Sequence, residues 1–449
     1  MPPPGVRLNI VRERQEGHGV GTLQNPEMFL GQDYELLQQY YLIRGRRYID
    51  DMFPPDNRSY NNSIKLTHTF LTQIWIHRTS HQFHVFLFFS GNCCFLAALG
   101  ALTFQKHIME KFWRFWKWVD VVIDDKLSTL SGELIFVKPK TPNPQNEFWP
   151  ALLEKAYAKA CGSYGDMISG NVSEALMDFT GGVHMKVTLR STLTGLWDLI
   201  DGADKFNSLM GCSTAGKTLP NGLVEGHAYT VTGVRSQGKP IQLVRLFNPW
   251  GDTEWTGDWS DRSPMWETVS PEERERYHKN INNGKFWMSV EDFRQTFSNL
   301  DICSLSPGLL DGSSDSQWTS VRHERRLLAG TYLEPVVIAL VYFFFRSLLS
   351  FVQLSHFANM HSLKFESFLV CCANVFCLFY IDIILNFSSS FFANRSPVAY
   401  TKDMKSCREV MEFFRMEPGE YLIVPYTSSP NQTASFLVTI LSKTETQTE

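Results

Sequence analysis

From Leu96 to Phe112 the chain reads LAALGALTFQKHIMEKF, with apolar residues at the 3-and-4 spacing of a helix. FWPALLEKAYAKACG, at 148–162, predicts a second helix with Gly162 as its stop signal. WVDVVIDDKL, at 118–127, alternates and then turns at Asp124-Asp125, the pattern of a strand. Beyond about residue 181 the period shortens to two. VHMKVTL, HAYTVTGVRS and IQLVRLFN read as strands separated by Gly, Pro and Asn turns and by Trp-rich loops. The pattern predicts an α+β core: a mainly helical lobe over 23–180 and a β-rich lobe over 181–306. Two unlike lobes leave a cleft between them, a common position for an active site.

Other segments carry less pattern. Residues 1–22 are rich in Pro, Gly and charge and read as a flexible tail. KLTHTFLTQIWIHRTSHQFHVFLFFS, at 65–90, is rich in His and Phe without a clean period. Residues 307–330, which include GLLDGSSDSQW, read as a linker, and 331–446 as a β-sandwich domain in which MEPGEYLIVPYTSSP and ASFLVTILS alternate. An atypical apolar segment, 332–390, interrupts that domain. Its runs PVVIALVYFFF and SFLVCCANVFCLFYI fall short of the roughly 20 residues of a spanning helix. Buried segments are therefore the expectation, with a membrane hairpin over 335–387 as the alternative.

Composition narrows the class. At 449 residues the chain has room for two or three cores, and a net charge of −4 gives no reason to expect nucleic acid as a partner. Nine cysteines without a C-x-x-C pair do not form a disulfide framework and fit a reducing compartment. MPPPGVRLNIVRERQEGHG has no apolar h-region, so the expected location is the cytoplasm.

The chemistry starts at GNCCFLAALG, where Cys93 falls at the beginning of the first helix. A cysteine attacks as a thiolate, and a helix N-terminus or a nearby imidazolium lowers its pKa. Of twelve histidines, His227 in GLVEGHAYTVTGV stands between Gly226 and Ala228 at a strand start, where small neighbours leave the ring room to face a cleft. Asn248, in LFNPWG, ends the next strand and offers an oxygen to hold that ring. His227 follows Cys93 by 134 residues, within the roughly 130–150 of a papain-like Cys, His, Asn order. Each residue alone has an ordinary packing role; the joint pattern is improbable by chance.

These motifs carry a resemblance. With FLAALGALTFQKHIMEK, the run from WVDVVIDDKL to YAKACGSYGDM, VSEALMDFTGGV, LMGCSTAGKTLPNGLVEGHAYTVTGV, LVRLFNPWGDTEWTGDWSDRSPMW and SPEERERYHKNI, the chain resembles the calpains, calcium-dependent intracellular cysteine proteases with a two-lobed papain-like core. QNPEMFLGQDYELL, YIDDMFPPDN and the C-terminal MKSCREVMEFFRMEPGEYLIVPYTSSPNQTASFLVTILS extend it. The resemblance implies limited proteolysis of protein substrates by a Cys93, His227 and Asn248 triad, with Trp250 lining the cleft. It implies regulatory calcium held in the second lobe by Glu254, Asp261, the Ile281 carbonyl and the position of Asn283, and in the first by Glu154. No EF-hand loop occurs, so no small subunit docked through one is expected.

Departures from the family cluster together. Leu87 stands where the family has an oxyanion-hole Gln, with Gln82 out of register, and the Asp and Gly of the first calcium site belong to the same lost stretch. Cys94 replaces a Trp. Asn283 and Lys285 stand where acids are usual. The chain is also short of a connecting segment after HIMEK. These departures motivate two alternatives: a catalytically impaired scaffold, or misassigned exon boundaries around 65–90 and 332–390.

Overall fold

The structure is a computed structural model. It describes residues 20–22, 24–60, 69–71, 85–86, 92–103, 112–114, 117–130, 133–139, 148–168, 170–190, 195–215, 221–237, 241–251, 253–279, 281, 283–305 and 307–310. Beyond these it describes 319–327, 341–345, 350–357, 373–380, 394, 396–400, 405–406, 409–414, 419–426, 434–442 and 447–448. They fall into two compact units, one within Gly17–Leu305 and the other within Ser306–Glu449. Leu87, Gln82 and most of 65–90 lie outside the described residues.

In the first unit, helix α1 (Tyr34–Ile43) is capped by Asp33, whose side chain accepts from Leu36 N, and buries no residue. Helix α2 (Cys93–Thr103) does the opposite: every residue from Phe95 to Leu102 is buried. A helix that is apolar all round belongs in a core. Helices α3 (Trp149–Cys161) and α4 (Val172–Thr180) follow along the chain. Helix α3 ends where Gly162, at φ 116°, takes a conformation closed to other residues at little cost. Phe95, Phe112, Tyr157 and Phe179 form one aromatic cluster, with Phe95 and Tyr157 stacked at 5.0 Å. WVDVVIDDKL holds two short strand pieces, since Lys117–Asp120 is a strand and Leu127 opens another. The turn at Asp124-Asp125 lies between them.

The largest sheet described in this unit has six antiparallel strands: β1 (Val183–Thr188), β2 (Leu209–Thr214), β3 (Ala228–Gln237), β4 (Ile241–Phe247), β5 (Lys285–Ser289) and β6 (Phe297–Ser304). Their order is β5-β4-β3-β2-β6-β1. Helix α2 packs on β3. Thr230 Oγ1 on β3 donates to the Ala97 carbonyl at 2.6 Å. The approach is close enough that a Cβ on Gly100 would lie 2.6 Å from Thr230 Oγ1 and 3.3 Å from the Phe247 ring. Gly100→Val is therefore expected to lower stability by about 1–3 kcal/mol through overpacking, read from the urea midpoint. An unchanged midpoint would show that the helix slides freely on the sheet.

The second unit contains strands β7 (Thr319–Leu327), β8 (Val341–Phe345), β9 (Ser350–Phe357), β10 (Ala373–Tyr380), β11 (Glu409–Phe414), β12 (Gly419–Tyr426) and β13 (Ala434–Ser442). One sheet has the order β7-β13-β9-β11; in the other, β12 lies between β10 and β8. Two sequence expectations change here. The span 307–330, read as a linker, contains β7, which pairs with β13 along its whole length from Thr319↔Ser442 to Leu327↔Ala434. In TSVRHERRL the charges mask the β-branched positions, whereas a strand needs an apolar residue only on a face it buries. The span 332–390, read as an interruption, supplies β8, β9 and β10, which pair within the two sheets. Among the described residues no helix is long and apolar enough to cross a membrane.

Candidate active site

Asn92 precedes α2 and Cys93 is its first residue, so the Cys93 N–H has no bonding partner within the helix. Cys93 and Cys94 are both free thiols of intermediate exposure. Cys94 hydrogen-bonds the Cys93 sulfur, and this contact is the main influence holding the Cys93 thiol well below the ordinary thiol range. A hydrogen bond and the positive charge of His227, and then the Ala228 N–H, act in the same direction, against burial. The Cys94 thiol moves the opposite way: its bond to Cys93, burial and the adjacent negative sulfur all raise it.

His227 is held from both sides. Its backbone N–H donates to Thr214 Oγ1 at 3.0 Å, and its carbonyl accepts from Thr214 N at 3.0 Å. The ring contacts Tyr229 edge-on at 4.9 Å and Trp250 at 4.1 Å. Its Nε2 and Asn248 Oδ1 are 2.9 Å apart, which leaves Nδ1 for sulfur. His227 is 2 % exposed and Asn248 0 %, so the bond between them is shielded from water.

Asn248 cannot rotate away from that task. Its Nδ2 donates to Thr253 Oγ1 at 2.8 Å and to the Thr253 carbonyl at 3.1 Å, while Oδ1 also accepts from Trp250 N at 3.1 Å. The NPWGDT turn that makes this possible places Gly251 at φ 72° and Thr253 at φ 54°. A non-glycine residue in that region is strained, and here it marks the loop that fixes the amide.

The same turn connects to the acidic loop. Glu254 Oε1 accepts from Asn283 N at 2.8 Å and Gly284 N at 2.7 Å, and Asp261 Oδ2 accepts from Ile281 N at 3.1 Å. Gly284 O then accepts from Asn248 N at 2.7 Å. Four residues singled out for calcium, Glu254, Asp261, Ile281 and Asn283, are thus joined in one hydrogen-bonded loop, two bonds from the triad. Ile281 meets Asp261 through its N–H, where the sequence reading used its carbonyl. Burial raises both carboxyls, and at Glu254 the nearby Asp261 charge adds to the rise. The carboxylates of Glu254 and Asp261 are hard oxygens of the type calcium takes. Half-buried Lys285 adjoins the loop, its own pKa lowered by burial and by Arg245 and Lys279.

Glu154 is elsewhere. It is fully buried on α3; one carboxylate oxygen accepts from Val137 N at 2.8 Å and the other from Asn92 Nδ2. Burial raises its pKa to about 8. It supports the turn before the nucleophile, and no group of three or more His, Cys, Asp or Glu side chains suited to a metal occurs among the described residues.

Comparison with known proteins settles the lineage. Residues 110–304 match the model of the calpain family cysteine protease, and residues 358–441 that of domain III of the calpain large subunit. The chain is 31 % identical over 517 residues to the calpain-1 catalytic subunit of Bos taurus, covering 99 % of this chain and 72 % of that protein. The chain belongs to the calpain family. It is also 37 % identical over 400 residues to Homo sapiens calpain-14, spanning 58 % of that protein's length. With Homo sapiens calpain-9 the identity is 31 % over 469 residues.

Within this calpain, His227 and Asn248 fall inside the matched protease region, while Cys93 precedes it. Sequence reasoning missed two supports of the site, Thr253 and Thr230. Only Thr253 left a signal, the glycine-containing NPWGDT turn.

Proposed function

We propose that this calpain is a calcium-dependent, cytoplasmic cysteine endopeptidase with a papain-like two-lobed core and a β-sandwich domain, acting on protein substrates. The observation that carries the reading is the connected chain Cys93, His227, Asn248, with the sulfur lowered and the His227–Asn248 bond buried. The Cys93 thiolate attacks a peptide carbonyl, His227 gives a proton to the departing amine, and water then hydrolyses the thioester. The Cys93 N–H is one donor for the developing oxyanion. Leu87 in place of a second, side-chain donor costs on the order of a hundred- to a thousandfold in rate.

Calcium, when bound, would be held by the carboxylates of Glu254 and Asp261 with Asn283, and supplies positive charge that fixes the loop bonded to Asn248. Lys285 beside this loop favours a weak site and gives the second reading, an impaired scaffold that binds proteins without cutting them. An unstructured protein incubated with the full chain decides between them. The expected result is fragments in millimolar calcium, none with a chelator and none from Cys93→Ala. Equal background from the native chain and Cys93→Ala would dismiss the enzyme.

A further inference from the structure

Helix α3 meets the first turn of α2 at two points, one on each side of Cys93. Glu154 and Tyr157 are three apart on α3 and so share one face of it. Their partners, Asn92 and Phe95, are also three apart and flank the nucleophile. One Glu154 oxygen accepts from Asn92 Nδ2, and the Tyr157 ring stacks on Phe95 at 5.0 Å. The other Glu154 oxygen accepts from Val137 N at 2.8 Å, so the carboxylate is held at both ends. Glu154 is 0 % exposed and Asn92 8 %, which shields the contact from water. Two grips three residues apart fix how far α2 is turned about its own axis, and with it the direction of the Cys93 side chain. The resemblance assigns Glu154 to calcium. Its partners are N–H groups, the positive ends of dipoles, and a cation would have to displace both. The surroundings of Glu154 do not fit that ion.

We propose that Glu154 is a positioning residue that holds the nucleophile turn through Asn92, with Tyr157 on Phe95 as the second grip, and that it does so by hydrogen bonding without calcium. The proposal rests on Cys93 being the nucleophile of the site described above. Calcium control then belongs to the Glu254 and Asp261 loop, and the first lobe sets Cys93 with or without the ion.

The orphaned oxygen of Asn92 makes a discriminating variant possible, since its Oδ1 accepts no hydrogen bond. In Glu154→Gln the new amide oxygen takes the Val137 N–H, and its NH₂ faces Asn92, whose own amide turns over to accept through Oδ1. Both bonds survive, while the charge that a calcium ligand needs is gone. Glu154→Leu and Asn92→Leu remove the contact with nothing in its place.

The test compares the full chain with Glu154→Gln, Glu154→Leu, Asn92→Leu and the double Leu variant, at a temperature where circular dichroism shows each folded. Glu154→Gln is expected to keep kcat within about fivefold, the worth of one ordinary hydrogen bond, and to need the same calcium concentration for half its maximal rate. Either Leu variant is expected to lose about 100-fold in kcat with KM little changed, since a misplacement of about 1 Å costs that much. The double variant should be no slower than the worse single one, because the two side chains form one contact. Alkylation of Cys93 by iodoacetamide reads the sulfur's surroundings without turnover, and should slow about tenfold in the Leu variants alone. Leu variants with native kcat and alkylation rates would overturn the proposal. So would a Glu154→Gln protein that is as slow as Glu154→Leu or needs more calcium, which returns Glu154 to the ion. Native turnover equal to that of Cys93→Ala removes the protease reading instead, and the alkylation rates then decide the positioning by themselves. Should the Leu variants fail to fold, the kcat and calcium requirement of Glu154→Gln still decide.

Discussion

His227→Ala lowers kcat/KM for a peptide substrate on the order of 10⁴- to 10⁶-fold, the loss expected when one member of an interdependent catalytic set is removed. The size follows from two functions lost together. The ring's hydrogen bond and charge help hold Cys93 below the ordinary thiol range, and its proton is the one the departing amine needs. Asn248→Ala should cost less, on the order of 100-fold, because Tyr229 and Trp250 still contact the ring while the bond that aims it is gone. A second readout separates chemistry from collapse. Removing an opposite charge makes the thiolate less favourable, so the midpoint of the pH profile for Cys93 alkylation moves upward in His227→Ala. Equal turnover by native chain and variant, with the alkylation midpoint unmoved, would remove His227 from the mechanism.

How far the sequence reveals this site depends on the range of the interaction. Helix α3 is legible because its apolar spacing and Gly162 stop are local, and β3 and β4 because alternation between turns is local. His227 and Asn248 stand out because each sits beside small or turn-forming neighbours at a strand boundary. The fit of α2 on β3 is not legible, since nothing near Gly100 announces that Thr230, 130 positions away, will bond one turn earlier at Ala97. Charge misleads in the other direction. Glu154, Lys155 and Lys159 on α3 carry charge, yet all three are buried because their partners come from distant segments. The same blindness hides β7, whose edge of Arg, His and Glu pairs with β13 all the same.

Lys159→Met is expected to destabilise the first unit by about 3–5 kcal/mol, the cost of leaving a buried charge without its partner. Lys159 Nζ donates to Asp50 Oδ2 at 2.6 Å and to the Val122 carbonyl at 2.5 Å, and also bonds Gln32; both side chains of the ion pair are almost wholly buried. A neighbouring pair, Lys155 and Asp124, joins the network where Asp124 Oδ2 accepts from Asp50 N at 2.9 Å. These bonds tie the segment around Asp50 to α3, and removing the cation strands a carboxylate that burial disfavours in its charged form. A loss of this size is a large part of the roughly 5–15 kcal/mol that keeps a domain folded. The double variant Lys159→Met with Asp50→Asn, which leaves no charge unpaired, should recover part of it, and a double-mutant cycle from urea unfolding measures how much. Activity should track stability only in part. Helix α3 also carries Glu154, which bonds Asn92 immediately before the nucleophile, so a loosened α3 reaches Cys93 through a single residue. A Lys159→Met protein that kept native turnover at a temperature where it remains folded would show that the Asn92 turn holds the sulfur without help from α3.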